Sequence, residues 1–118
     1  MQPESRNPAY LWDMLDAARS IQDFISSVSF EQYMQNRMMQ LAVERQLEII
    51  GEAARRVSDG FKNKYPEIPW RRIIGLRNVL AHEYGDIQHE RLWLVITDDL
   101  PKLIELLEPL IPPLPSDK

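Results

Sequence analysis

The chain has 118 residues, a length that suits one domain burying roughly two-thirds of the surface its unfolded form would expose. It contains no cysteine, which excludes disulfides, cysteine-ligated zinc, iron–sulfur clusters and a thiol nucleophile. Fourteen basic against eighteen acidic side chains give a formal charge of −4, so the surface as a whole is not built to attract nucleic acid.

The distribution of charge says more than the total. From Arg55 to Arg77 seven basic residues stand against Asp59 and Glu67, a local balance of +5. From Glu83 to Lys118 three basic residues stand against eight acidic ones, a balance of −5. A cationic zone on an acidic body can hold a polyanion at one place, although chance variation in solvated charge produces the same pattern. The amino terminus lacks the basic-then-apolar order of a signal peptide, and no apolar run is long enough to span a bilayer. The expectation is a soluble, cytoplasmic protein with no membrane partner.

Apolar residues recur at three- and four-residue steps in four segments, which predicts an all-α fold. The expected architecture is an antiparallel, up-and-down bundle of four to five helices in a single domain over 1–118, with a proline-rich tail over about 109–118. The first helix starts after Asn7, with Pro8 in the first turn, and ends near Ser26 or Ser27; Leu11, Met14, Leu15, Ala18, Ile21 and Ile25 form its stripe. Ser29-Phe30-Glu31-Gln32 has the form of a capping box and opens a long second helix. The seam of that helix is Met39, Val43, Leu47, Ile50, Ala54 and Val57, and Gly60 closes it as a left-handed residue.

Phe61 to Pro69 reads as a loop because two prolines stand three residues apart. A third helix runs from about Trp70 to Glu83, with Gly85 as terminator. The fourth starts between Ile87 and Glu90 and points Leu92, Ile96, Leu100, Leu103 and Leu107 inward, with Pro101 forcing a kink or a restart.

The two histidines are His82 and His89, and His82 lies in Arg77-Asn78-Val79-Leu80-Ala81-His82-Glu83-Tyr84 at the end of the third helix. Asn78 and His82 share one helical face and Arg77 and Tyr84 another. Such a set suits phosphodiester cleavage. Imidazole as a class titrates near neutrality and can move the proton of a ribose 2'-hydroxyl or of the leaving 5'-oxygen, while a guanidinium fork holds the phosphate. Asn78 can orient the imidazole or donate to phosphate, and Tyr84 offers a hydroxyl and a stacking ring. The same residues also read as a simple helix end, with a protonated His82 complementing the helix dipole.

On the second helix Arg37, Glu44, Glu48, Glu52 and Arg55 form a polar stripe. Glu44 and Arg45 are candidates for a network that positions Arg77 or His82; a solvated face with pairs such as Glu52 and Arg56 is the other reading. His82 and His89, seven residues apart with Glu83, Asp86 and Glu90 around them, make a poor metal site, so neither metal nor cofactor is expected.

The runs Ala42-Val43-Glu44-Arg45-Gln46-Leu47-Glu48-Ile49-Ile50-Gly51-Glu52-Ala53, Ile68-Pro69-Trp70, Ile74-Gly75-Leu76-Arg77-Asn78, His82-Glu83-Tyr84 and Asp99-Leu100-Pro101 together resemble a HepT-type member of the HEPN superfamily, from about Asn7 to Glu108. The resemblance implies a helical homodimer whose two Arg-and-His motifs meet at the subunit interface and cut RNA without metal. It implies Arg77 and His82 as the catalytic pair, with Asn78 in support. It also implies a toxin role, a cognate minimal nucleotidyltransferase as antitoxin partner, and Tyr84 as a residue that this partner modifies with AMP. The alternative is a non-catalytic helical dimer that binds nucleotide or serves the nucleotidyltransferase as scaffold and AMP acceptor.

Overall fold

The computed structural model describes residues 6–82 and 88–111, and every regular element among them is helical. Three long helices carry the fold: α1 (Asn7–Ile25), α3 (Arg37–Arg56) and α5 (Trp70–His82). Short helices α2 (Phe30–Met34) and α4 (Asp59–Lys64) fill the connections, and a composite rod closes the chain: α6 (His89–Leu94), a π-helical turn (Val95–Asp99) and α7 (Leu100–Leu107). A 3₁₀ turn, Glu108–Leu110, follows.

Helix α1 begins one residue earlier than its sequence suggests. Asn7 is the first helical residue rather than the cap, because its buried side chain is used across the fold. It donates from Nδ2 to Ser58 Oγ (3.0 Å) and accepts from the Ser58 amide (3.1 Å), while Ser58 Oγ also accepts from the Phe61 amide (3.2 Å). The start of α1 therefore lies against the end of α3, and the two helices run antiparallel. Ser27, just past α1, takes φ 63°, a conformation an L-residue adopts at a cost.

The long second helix expected after Ser29 is two helices. The capping box is present, with Ser29 Oγ accepting from the Gln32 amide and Gln32 Oε1 from the Ser29 amide. Helix α2 stops after five residues because Asn36 caps a new start, its Oδ1 accepting from the Met39 amide (3.0 Å). Buried Gln40 reaches back and donates to the carbonyls of Tyr33 and Met34, which satisfies the end of α2.

Two further expectations are corrected. Gly60 does not close the helix as a left-handed residue; α3 ends at Arg56, and Gly60 lies in the first turn of α4, which Ser58 caps. Part of the expected loop, Phe61 to Lys64, is thus helical, and Phe61 packs on Tyr65 and Trp70. Of the expected seam, Val43, Leu47, Ile50, Ala54 and Val57 are buried inside this chain and Met39 is half-buried, with α3 packed between α1 and α5.

Pro101 restarts the last rod as expected. Lacking an amide proton it cannot continue an α-helical ladder, and the Leu100 amide bonds to the Val95 carbonyl five residues back, forming the π turn. Leu92, Ile96, Leu100, Leu103 and Leu107 are all buried. The proposed terminator Gly85 and most of the proline-rich tail lie outside the described residues.

Candidate active site

Helix α5 crosses α3 at Gly51. A Cβ at that position would overlap Arg77 Cβ and lie 2.8 Å from Arg77 Cγ and 3.1 Å from the Ile73 carbonyl oxygen. The missing side chain is what lets the stem of Arg77 rest on α3. From that seat the guanidinium reaches the next residue of α3, with Nη2 3.2 Å from Glu52 Oε1, while Nη1 donates to Asn78 Oδ1 at 3.1 Å.

Glu52 serves two more arginines. Arg55 Nη2 donates to its Oε2 at 2.7 Å and Arg56 Nε at 3.1 Å. These bonds, that of Arg55 first, hold the Glu52 carboxyl down at about 2 against the partial desolvation of the site. Around it opens a cleft of about 260 Å³ between α1, α3 and α5, with Arg45, Arg56 and Arg77 facing Asp13, Glu48 and Glu52, and with Tyr10 on its wall. Burial, then the neighbouring Asp16, pushes the Asp13 carboxyl up.

Arg77 is half-buried at this cleft, Asn78 is exposed beside it, and His82 is the exposed last residue of α5. The helix is regular through His82, so the Arg77 and His82 side chains leave it about 140° apart at 100° per residue. Tyr84 lies outside the described residues.

Glu44 and Arg45, the candidates for a network reaching Arg77 or His82, lie in different surroundings, while the alternative pair of Glu52 with Arg56 is formed. Arg45 lines the Arg77 cleft and lies 3.8 Å from Glu48. Glu44 is buried, with Oε2 3.8 Å from His89 Nδ1. Desolvation raises its carboxyl, while His89 and Arg37 pull it down and Glu48 opposes them. The ring of Tyr33 stands edge-on to His89, and its buried hydroxyl is pushed up to about 12, first by desolvation and then by Glu44. The network that reaches Arg77 is built by Glu52, two turns along the same stripe.

The cationic zone from Arg55 to Arg77 is largely spent within the fold. Arg55, Arg56 and Arg77 share Glu52, Lys62 donates to the Arg55 carbonyl at 3.3 Å, and Arg72 pairs with Asp99 at 3.2 Å. Among the described residues no group of three or more His, Asp or Glu side chains converges so as to hold a metal ion.

With this geometry in view, the family model for HepT-like ribonucleases matches residues 14–110, a span that contains the seat at Gly51, Glu52, Arg77 and His82. The chain belongs to the HepT-like ribonuclease family. As a HepT-like HEPN ribonuclease it is an endoribonuclease by class. Its relatives include a Methanocaldococcus jannaschii protein provisionally named an RNase, 38% identical over 100 residues, covering 85% of this chain and 92% of the relative. A second protein of that organism, named in the same way, is 35% identical over 109 residues, covering 92% and 90%. A Thermococcus cleftensis protein provisionally named ribonuclease HepT is 38% identical over 94 residues, covering 80% and 86%. No solved structure matches this HepT-like ribonuclease. No helix among its described residues is long and apolar enough to cross a membrane.

Proposed function

We propose that this HepT-like ribonuclease is the toxin of a toxin–antitoxin pair and cuts RNA without metal, using Arg77 and His82. The observation that carries the reading is the placement of Arg77 on a seat in an open cleft with His82 exposed at the end of the same helix. In the proposed reaction a neutral imidazole of His82 takes the proton of the ribose 2'-hydroxyl. The 2'-oxygen attacks phosphorus, the bond to the 5'-oxygen breaks, and an imidazolium protonates that leaving oxygen. Arg77 holds the charge that builds on the phosphate, and Asn78 keeps the guanidinium oriented.

Two side chains about 140° apart on one regular helix point away from each other. A homodimer that sets α5 of one copy against α5 of the other supplies the missing half, and it supplies a second imidazole for the leaving group. The proposed antitoxin is a minimal nucleotidyltransferase that attaches AMP to Tyr84, two residues beyond His82, and so puts a competing phosphate beside Arg77. The proposed setting is the cytoplasm.

The test is incubation of partner-free protein with tRNA and mRNA in EDTA. Cleavage leaving 2',3'-cyclic phosphate ends, abolished in both Arg77→Ala and His82→Ala, is the expected result. Activity that disappears in EDTA and returns with magnesium rejects the mechanism. Absence of cleavage, with Tyr84 still accepting AMP, favours the scaffold alternative.

A further inference from the structure

We infer that Glu52 is a positioning residue for Arg77: a counter-ion that parks the guanidinium in the cleft before RNA arrives and surrenders it to the substrate phosphate. The inference rests on the reading of Arg77 as the phosphate-binding group. Three guanidinium groups, from Arg55, Arg56 and Arg77, meet the one carboxylate of Glu52, so that carboxylate is shared and not reserved for Arg77.

The three contacts are not equal. Arg55 and Arg56 come from the same helix as Glu52 and approach Oε2 to 2.7 Å and 3.1 Å. Arg77 comes from the facing helix and stands 3.2 Å from Oε1, with its other terminal nitrogen on Asn78. When Arg77 leaves, Glu52 still accepts from two guanidinium groups and is not stranded. That lowers the cost of the exchange, since an ionised carboxylate left without partners pays its desolvation in full.

The arrangement also fixes direction. Gly51 holds the Arg77 stem against α3, so the fork can travel only about the length of its own side chain, from Glu52 toward the open side of the cleft. Glu52 thus has two opposed effects. It orders Arg77, which favours the chemical step, and it competes with phosphate for the same fork, which weakens RNA binding.

The test separates these effects. Binding of a 2'-O-methyl RNA, which cannot be cleaved at the 2'-oxygen, is measured beside single-turnover cleavage of the matching RNA for wild type, Glu52→Gln and Glu52→Ala. Both variants are expected to bind the methylated RNA about threefold to tenfold more tightly with a steeper salt dependence, and to cleave about tenfold more slowly at saturating RNA. In an Arg77→Ala background, where cleavage is expected to be lost, the same substitutions are expected to leave binding of the methylated RNA unchanged, because Glu52 acts through Arg77. A residue that merely supports the fold would weaken binding and cleavage together, with a lower Tm.

Unchanged or weaker binding in both Glu52 variants overturns the inference, as does an unchanged cleavage rate. If Arg77→Ala cleaves like wild type, the functional reading falls, and the exchange with phosphate falls with it. The parking itself is read without activity: nitrogen-15 NMR should show a restrained Arg77 guanidinium in wild type and a mobile one in Glu52→Gln, and equal mobility in the two overturns it.

Discussion

Gly51 and Arg77 occupy one shared volume: the space a side chain would take on α3 is filled by the first two carbons of the arginine on α5. The α3 backbone and the Arg77 side chain are therefore coupled at a single crossing, and a methyl group is enough to separate them.

Gly51→Ala is expected to push α5 away from α3, since the overlap is with Arg77 Cβ and with the Ile73 backbone rather than with a flexible tip. Overpacking of this kind costs about 1–3 kcal/mol. Gly75, also on α5, has nothing within 4 Å of where its Cβ would be, so Gly75→Ala is expected to stabilise by about 0.5–1 kcal/mol through helix propensity alone. Thermal denaturation of the two variants checks the opposite signs, and Gly51→Ala should in addition lose cleavage at temperatures where it is fully folded.

Arg77→Lys keeps the charge and loses the fork. A single ammonium cannot bridge Glu52 and Asn78 while presenting two donors to a phosphate, so kcat/KM for RNA is expected to fall about 100-fold, roughly 2.7 kcal/mol of transition-state stabilisation. Steady-state cleavage assays measure it, and a fall below threefold would assign Arg77 a generic electrostatic role.

Ser58→Ala removes the N-cap of α4 and one half of the pairing with buried Asn7 in a single step. Loss of the cap and an unsatisfied Asn7 amide together should cost about 1–3 kcal/mol. Urea denaturation at neutral pH gives the value, and a loss under 0.5 kcal/mol would show that α1 and α4 are held by packing alone.

How far the sequence shows this site is clear from Glu52. The polar stripe on α3 is legible from spacing, but spacing points to Glu44 and Arg45 as the members that reach a neighbouring helix and leaves Glu52 to a solvated pair with Arg56. Only the register of α5 on α3, set by the absence of a side chain at Gly51, selects Glu52 for Arg77 and leaves Glu44 to His89. The periodic stripes, the Ser29 capping box and the interruption at Pro101 are local signals and could be read. The break at Asn36 and the helix start at Ser58 hide inside segments whose apolar spacing continues across them, and each is decided by a side-chain bond to the backbone. The Asn7 pairing with Ser58 joins residues 51 apart and has no local signature.

Buried Tyr33 and Glu44 and half-buried His89 form a cluster. Tyr33 Oη, Glu44 Oε2 and His89 Nδ1 are each buried without a hydrogen bond to any described residue, and Glu44 and His89 stand 3.8 Å apart. Burial raises the Glu44 carboxyl above its ordinary 4.5, with His89 and Arg37 opposing and Glu48 adding to the rise. A folded value above the unfolded one means that this group's contribution to stability is fully present below about pH 4.5 and is lost as pH rises through the raised value. At neutral pH the ionised Glu44 therefore weakens the native state. Glu44→Gln keeps shape and hydrogen-bonding capacity without the charge, so it is expected to raise Tm by a few degrees at pH 7, with the gain vanishing near pH 4. Tyr33→Phe deletes a hydroxyl that burial penalises and should be neutral or stabilising by about 0.5–1 kcal/mol. Calorimetric scans from pH 4 to pH 8 decide both. A Glu44→Gln protein less stable than wild type at pH 7 would mean that the carboxylate and a charged His89 form a favourable pair at the start of α6, the reverse of the sign argued from burial.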